Sequence, residues 1–243
     1  MRKKIFLMIM LLSAAVFSVS AYKDSFATMN SNPLFGNLIT ALKNEEKESS
    51  VLSLYETYIA SDITMTERSR IEYHMARYYK DIKNKTKARE HLDLEGFYMD
   101  QIGEEASEYE RLVAEVDYTS ARYYVNKEMS VGIENSKLTK ALYEKYPDEF
   151  YAAITECWRL IYTPAIAGGS YRKAIRMLNE IEKNKEGISY LEESGLYTAL
   201  GYAHAQREEY DDAYKYLTKA KEFYKKDPLV LETLKEVEEK RGN

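Results

Sequence analysis

The stretch 195–228, GLYTALGYAHAQREEYDDAYKYLTKAKEFYKKDP, constrains this chain more than any other. Two antiparallel helices approach closely only where their facing side chains are small, so Gly201 and Ala213 mark a crossing point. Ala220 lets a following helix settle in the same way. Leu200, Leu217 and Phe223 recur at three- and four-residue steps and fill the seam between the helices.

Tyr197, Leu200 and Gly201, followed by Tyr210, Ala213, Leu217 and Ala220, resemble the tetratricopeptide pattern of aromatic-x-x-Leu-Gly, then Ala-x-x-x-aromatic or Leu, then Ala. His204 stands where that pattern usually has Tyr, and Pro228 arrives a few residues late. A second unit covers 155–186, with Trp158, Ile161, Tyr171, Ala174 and Leu178 in the equivalent places. Its helices are joined by Tyr162-Thr163-Pro164-Ala165-Ile166-Ala167-Gly168-Gly169-Ser170. Pro164 ends the first helix near Tyr162, and Ser170 is a good N-cap for the second. Upstream, 140–147 (KALYEKYP) resembles the close of a preceding repeat. A weaker unit spans 69–95: Ala76, Tyr79, Ala88 and Leu92 fit, while Glu95 occupies the second small position. Between these units, 104–126 reads as one long helix answered by 131–146, a degenerate repeat of the right lengths with poor signature residues.

The resemblance runs from about Ser69 to Pro228, strongest after Lys140. It implies an all-α fold, a right-handed superhelical stack of antiparallel helix pairs (a TPR-like solenoid). Capping elements are expected at both ends. Residues 22–66 form N-terminal capping helices, with a helix pair over 34–61, followed by repeats over 67–228. Residues 229–243 form a capping helix opened by Asp227-Pro228, with Leu231, Leu234 and Val237 as its apolar stripe.

Residues 1–21 read as a secretory signal. Arg2, Lys3 and Lys4 precede an apolar run over 5–17, and Val19-Ser20-Ala21 supplies the small residues of a cleavage site after Ala21. The run falls short of the roughly 20 residues that span a bilayer. No Cys lies near the site, so no lipid attachment is expected, and the mature chain is expected to be periplasmic or secreted with no stable membrane insertion. Cleavage removes three of 35 basic residues and none of 40 acidic ones, deepening the net charge from −5 to −8. Lys and Glu are interleaved in the manner of solvated helix faces, and no basic stripe suits a nucleic acid. Tyr is in excess, 23 copies against 7 Phe and one Trp, as suits half-buried seams where a ring packs and its hydroxyl reaches water.

The residues of known chemistries are sparse. His74, His91 and His204 stand apart in the sequence, and the lone Cys157, which excludes an internal disulfide, suits a buried place beside Trp158. No GxSxG segment is present. Gly168-Gly169-Ser170 reads as a turn between two helices rather than an anion cradle, since it lacks the Lys and spacing of a phosphate loop. Asn84-Lys85-Thr86 is a sequon without further support. No catalytic residue, cofactor or metal is expected.

Tetratricopeptide proteins bind partners with the first helix of each pair, which lines the inner face of the superhelix. Carried over by position, that face holds Arg70, Tyr73, Arg77 and Lys80 from the early unit, Glu156 and Arg159 from the middle one, and Thr198, Tyr202 and Gln206 from the last. The resemblance therefore implies a scaffold or adaptor that binds a protein or peptide partner in the cell envelope, for which Arg, Lys and Tyr are suitable contacts. YTPAIAGGSYRKAI at 162–175 also resembles exported helical-repeat proteins that accompany periplasmic tripartite (TRAP-type) transporters. That likeness implies an accessory role in uptake of a small organic acid. An enzyme using Cys157 ranks third.

Overall fold

The computed structural model describes residues 21–242, so the expected signal segment lies outside the described residues apart from Ala21. Among the described residues the fold is all-α, with twelve α-helices packed in consecutive pairs as in a helical repeat stack. In order these are α1 (Ala27–Ser31), α2 (Pro33–Lys43), α3 (Glu48–Ile59), α4 (Met65–Asp81), α5 (Lys85–Met99) and α6 (Glu108–Asn126). There follow α7 (Met129–Lys145), α8 (Phe150–Tyr162), α9 (Tyr171–Lys183), α10 (Tyr190–Ala205), α11 (Tyr210–Phe223) and α12 (Pro228–Arg241). The pairs are α2/α3, α4/α5, α6/α7, α8/α9 and α10/α11, with α12 laid against α10 and α11.

The helices start where short polar residues satisfy the first-turn N–H groups. Thr64 with Glu67, Ser107 with Glu110, and Ser189 with Glu192 form reciprocal capping boxes at α4, α6 and α10. The expected long helix over 104–126 therefore begins only at Glu108, because Ser107 takes the cap. Ser170 caps α9 and Asp227 caps α12 as their sequences indicate. Among these first helices, α8 differs: Glu149 stands at its N-cap and offers no side-chain hydrogen bond.

The seams follow the small residues. A Cβ at Gly201 would lie 2.6 Å from Cγ of Leu217, so α10 and α11 cross as closely as the glycine permits. Ala213, Ala220, Leu200 and Leu217 are all fully buried. The turn before α9 needs both its glycines: Gly168 has φ +93°, and a Cβ on Gly169 would strike the Thr163 carbonyl oxygen at 1.6 Å. The Gly168, Gly169 and Ser170 N–H groups are spent on the carbonyls of Ala165, Pro164 and Leu160. On α12 the buried stripe is Val230, Thr233, Leu234 and Val237, with Leu231 at its rim.

Two features set this stack apart from an open row of pairs. First, α4 lies against α6 and α8 against α10, whereas the backbones of α6 and α8 stay apart and meet mainly through side chains. Residues 22–31 run into that gap. Tyr22 joins the core formed by α8 to α12, while Phe26 packs against both the core of α1 to α6 and the smaller one shared by α6, α7 and α8. Second, the end of α2 adjoins the start of α12. Lys43 at the end of α2 pairs with Asp227 at 2.9 Å, the Lys226 N–H donates to the Asn44 side chain at 3.0 Å, and Tyr224 is buried in the N-terminal core.

Candidate functional site

The first helices of the pairs carry two sets of polar and aromatic side chains, one sealed and one reaching solvent. The sealed set centres on Arg70 of α4. Its guanidinium pairs with Asp117 of α6 at 2.5 Å and lies over the rings of Phe26 and Tyr151, 3.6 and 4.5 Å from their centroids. The Tyr151 hydroxyl donates to the other Asp117 oxygen. Burial pushes the Asp117 carboxyl up, against the pull of Arg70. Glu95 of α5 lies nearby, fully buried, and neither of its carboxyl oxygens has a hydrogen-bond partner. Burial, then Asp117 and Glu72, hold that carboxyl well above the usual carboxylate range.

Glu72 extends the set outward, accepting from the Tyr55 hydroxyl at 2.6 Å and facing Nδ1 of His91 at 2.5 Å. The His91 ring stacks on Tyr79. A carboxylate orienting a histidine is a familiar acid–base pair, but both side chains are buried. The recess bordered by Phe26, Thr66, Ser69, Arg70 and Asp117 has no room for a water molecule. This set holds α4, α5 and α6 together and offers no substrate a way in.

The second set is a band that crosses from α4 to α10. Arg77 stands over Tyr124 of α6 at 4.5 Å and over Tyr73 at 5.4 Å. Its guanidinium makes no ion pair among the described residues. Tyr162, at the end of α8, lies within electrostatic reach of Arg77 and Tyr124, stacks on Trp158 at 5.4 Å and meets Tyr202 of α10 at 5.6 Å. The Tyr162 ring is 60% exposed, so the band reaches solvent. Lys80 donates to the Val125 carbonyl at 3.0 Å, and Lys127 lies over Tyr124 at 4.6 Å. Burial, then Lys80 and Arg77, push the Lys127 amine down, the mark of three crowded positive charges with Asp81 as their nearest carboxylate.

Of the nine residues expected on the inner face, Tyr73, Arg77 and Tyr202 fall within this band and Lys80 lies beside it. The other five lie elsewhere. Arg70 is buried in its own ion pair. Glu156 is buried and grips Arg159 in a fork of 2.6 and 2.8 Å, so the two satisfy each other. Thr198 is buried and donates to the Ser194 carbonyl one turn back, and Gln206 is exposed just past the end of α10. Tyr124, Trp158 and Tyr162 are the members missed by sequence spacing. Trp158 and Tyr162 stand four residues apart just before Pro164, and that interval alone pointed to a stacked pair on one face.

Cys157 is fully buried, and burial pushes its thiol up. His204 contacts Glu209 at 2.7 Å and stacks on Tyr216, while His74 lies between Phe35 and Tyr73. Among the described residues no three His, Cys, Asp or Glu side chains are grouped as metal ligands, and no helix is long and apolar enough to cross a membrane. No protein-family model, curated protein or solved structure matches this chain.

Proposed function

We propose that this chain is an exported scaffold of the tetratricopeptide type that binds a protein or peptide partner of the cell envelope along the band from Tyr73 to Tyr202. One observation carries the reading: Arg77 lies over two tyrosine rings, makes no ion pair among the described residues, and is within electrostatic reach of the exposed Tyr162. Folded proteins seldom leave a part-buried guanidinium without an anion unless a partner supplies one. Tyr, Trp and Arg are also the side chains on which binding energy concentrates.

The test places a photo-crosslinking residue at Tyr162 and, as a control, at Phe97 on α5, which is 58% exposed away from the band. Partner capture specific to Tyr162, lost when Tyr73, Arg77 and Tyr202 are replaced together by Ala, supports the reading. Loss of the three anchors should weaken binding by a factor of about 30 or more, the scale of a single interface hot spot. Equal capture from both positions, or capture that survives the triple replacement, removes the band from the binding surface.

A second reading is an accessory component of a TRAP-type transporter that receives a small organic acid at Arg77. The unpaired guanidinium, flanked by rings and near Lys80 and Lys127, favours it. Stabilisation by small dicarboxylates in a thermal-shift assay, abolished by Arg77→Ala, would select it. No catalytic role is proposed for Cys157, because a sealed and protonated thiol is a poor nucleophile.

A further inference from the structure

Residues 22–30 bind the rest of the chain as a peptide binds a receptor. The Lys23 N–H donates to the Asp148 carbonyl at 3.0 Å and the Lys23 carbonyl accepts from the Phe150 N–H at 3.0 Å, a short parallel pairing with the corner between α7 and α8. The Tyr22 N–H donates to the Asn184 carbonyl at 3.2 Å, at the end of α9. Backbone pairing of this kind is how an extended peptide adds itself to a folded surface.

Three further contacts give the segment its specificity. Tyr22 is buried in a socket with Tyr143 and Cys157 beside it, and Phe26 lies against Tyr151 edge to face beneath the Arg70 guanidinium. Between these anchors, the Ser25 hydroxyl donates to the Glu149 carboxylate at 3.1 Å and accepts from the Tyr151 N–H at 3.2 Å. This last contact explains how α8 manages without a capping side chain of its own. Where α4, α6 and α10 use a local Ser or Thr, the first-turn N–H groups of Phe150 and Tyr151 receive a carbonyl and a hydroxyl from residues more than 120 positions earlier.

Asn30 spans from Asp24 to Ser189 at the start of α10, where Glu192 is buried and shares a side-chain hydrogen bond with Asp24. On its C-terminal side the segment passes through Ser31 and Asn32 into α2, which Pro33 opens.

We propose that residues 22–30 are a detachable strap and that the cleft they fill is a binding site for an extended peptide carrying two aromatic anchors four residues apart, with a hydroxyl residue directly before the second. This cleft lies at Arg70 and the α8 N-terminus, apart from the band around Arg77, so the two proposals stand or fall separately.

The test uses the full chain with Tyr22→Ala and Phe26→Ala together, and a fluorescent peptide of residues 22–31. The strap-weakened chain should bind that peptide at least tenfold tighter than the unaltered chain does, and a peptide with Phe26→Ala should lose the gain. A folded variant that binds the peptide no better than the unaltered chain overturns the proposal. So does equal binding of the Phe26→Ala peptide. Should the double variant fail to fold, hydrogen exchange on the unaltered chain decides. The Lys23, Phe150 and Tyr151 amides should then exchange at least tenfold faster than interior amides of α10. Exchange of both sets at one common rate overturns the strap.

Discussion

Glu192 offers a sharp test of the electrostatics. One of its oxygens completes the capping box of α10, accepting from the Ser189 N–H at 3.0 Å, and the carboxyl also shares a side-chain hydrogen bond with Asp24. Burial, then the carboxyl of Asp24, push its pKa up to about 8 from 4.5, with the Tyr109 hydroxyl of α6 also close by. The folded chain therefore keeps a proton that the unfolded chain has released over the window from pH 4.5 to 8. Because the folded pKa is the higher one, the contribution of this group to stability is fully present below pH 4.5 and is lost as pH rises towards 8. At pH 7 the loss spans about 2.5 pH units, a ceiling of roughly 3.4 kcal/mol. Glu192→Gln keeps the capping acceptor, carries no proton to lose, and places an amide donor beside Asp24. It should match the unaltered chain at pH 4.5 and exceed it at pH 8. In a chain of this size the pH 7 ceiling corresponds to roughly 7–14 °C in Tm. Thermal unfolding of both proteins at the two pH values is the assay. A difference in Tm that is the same at pH 4.5 and pH 8 would refute the assignment of a protonated Glu192.

Two further outcomes follow from contacts in the interior. Arg70→Ala should cost about 3–5 kcal/mol in urea unfolding, because it strands the buried Asp117 carboxylate, and Arg70→Met with Asp117→Leu should recover most of that loss. Gly201→Ala should cost about 1–3 kcal/mol by driving a Cβ into Leu217, and Leu217→Val in the same chain should recover part of it, which a double-mutant cycle would measure.

The fold was legible where a residue's role is local. Gly201 and Ala213 announce a crossing because close approach forbids larger side chains whatever the rest of the chain does. Pro164 and Ser170 bound their helices by backbone chemistry alone. The weak unit over 69–95 shows the limit of that logic. Glu95 breaks the small-residue rule at its position, and the structure accommodates it only by burying a carboxyl without partners beside Asp117 and Glu72. No neighbour in sequence foretells that arrangement, since Asp117 lies on the next pair.

The inner face was less legible, because which side chains line it depends on what else enters it. Glu156 and Arg159 keep the spacing of groove residues, yet three residues apart on one helix they reach each other first and leave no free charge. Arg70 also keeps that spacing, but Phe26 and Asp117 reach it from 44 and 47 residues away and seal it. Arg77, two turns further along the same helix, lies over aromatic rings with Asp81 within electrostatic reach and makes no ion pair among the described residues. A repeat pattern specifies that these two arginines share a face of α4. What makes one structural and the other available is the Phe26 that arrives from the N-terminal segment. That segment itself enters where α6 and α8 part, while the pairing of Lys43 with Asp227 ties the end of α2 to the start of α12. Under the proposed reading, a partner meets this face at Tyr162, where the band reaches solvent.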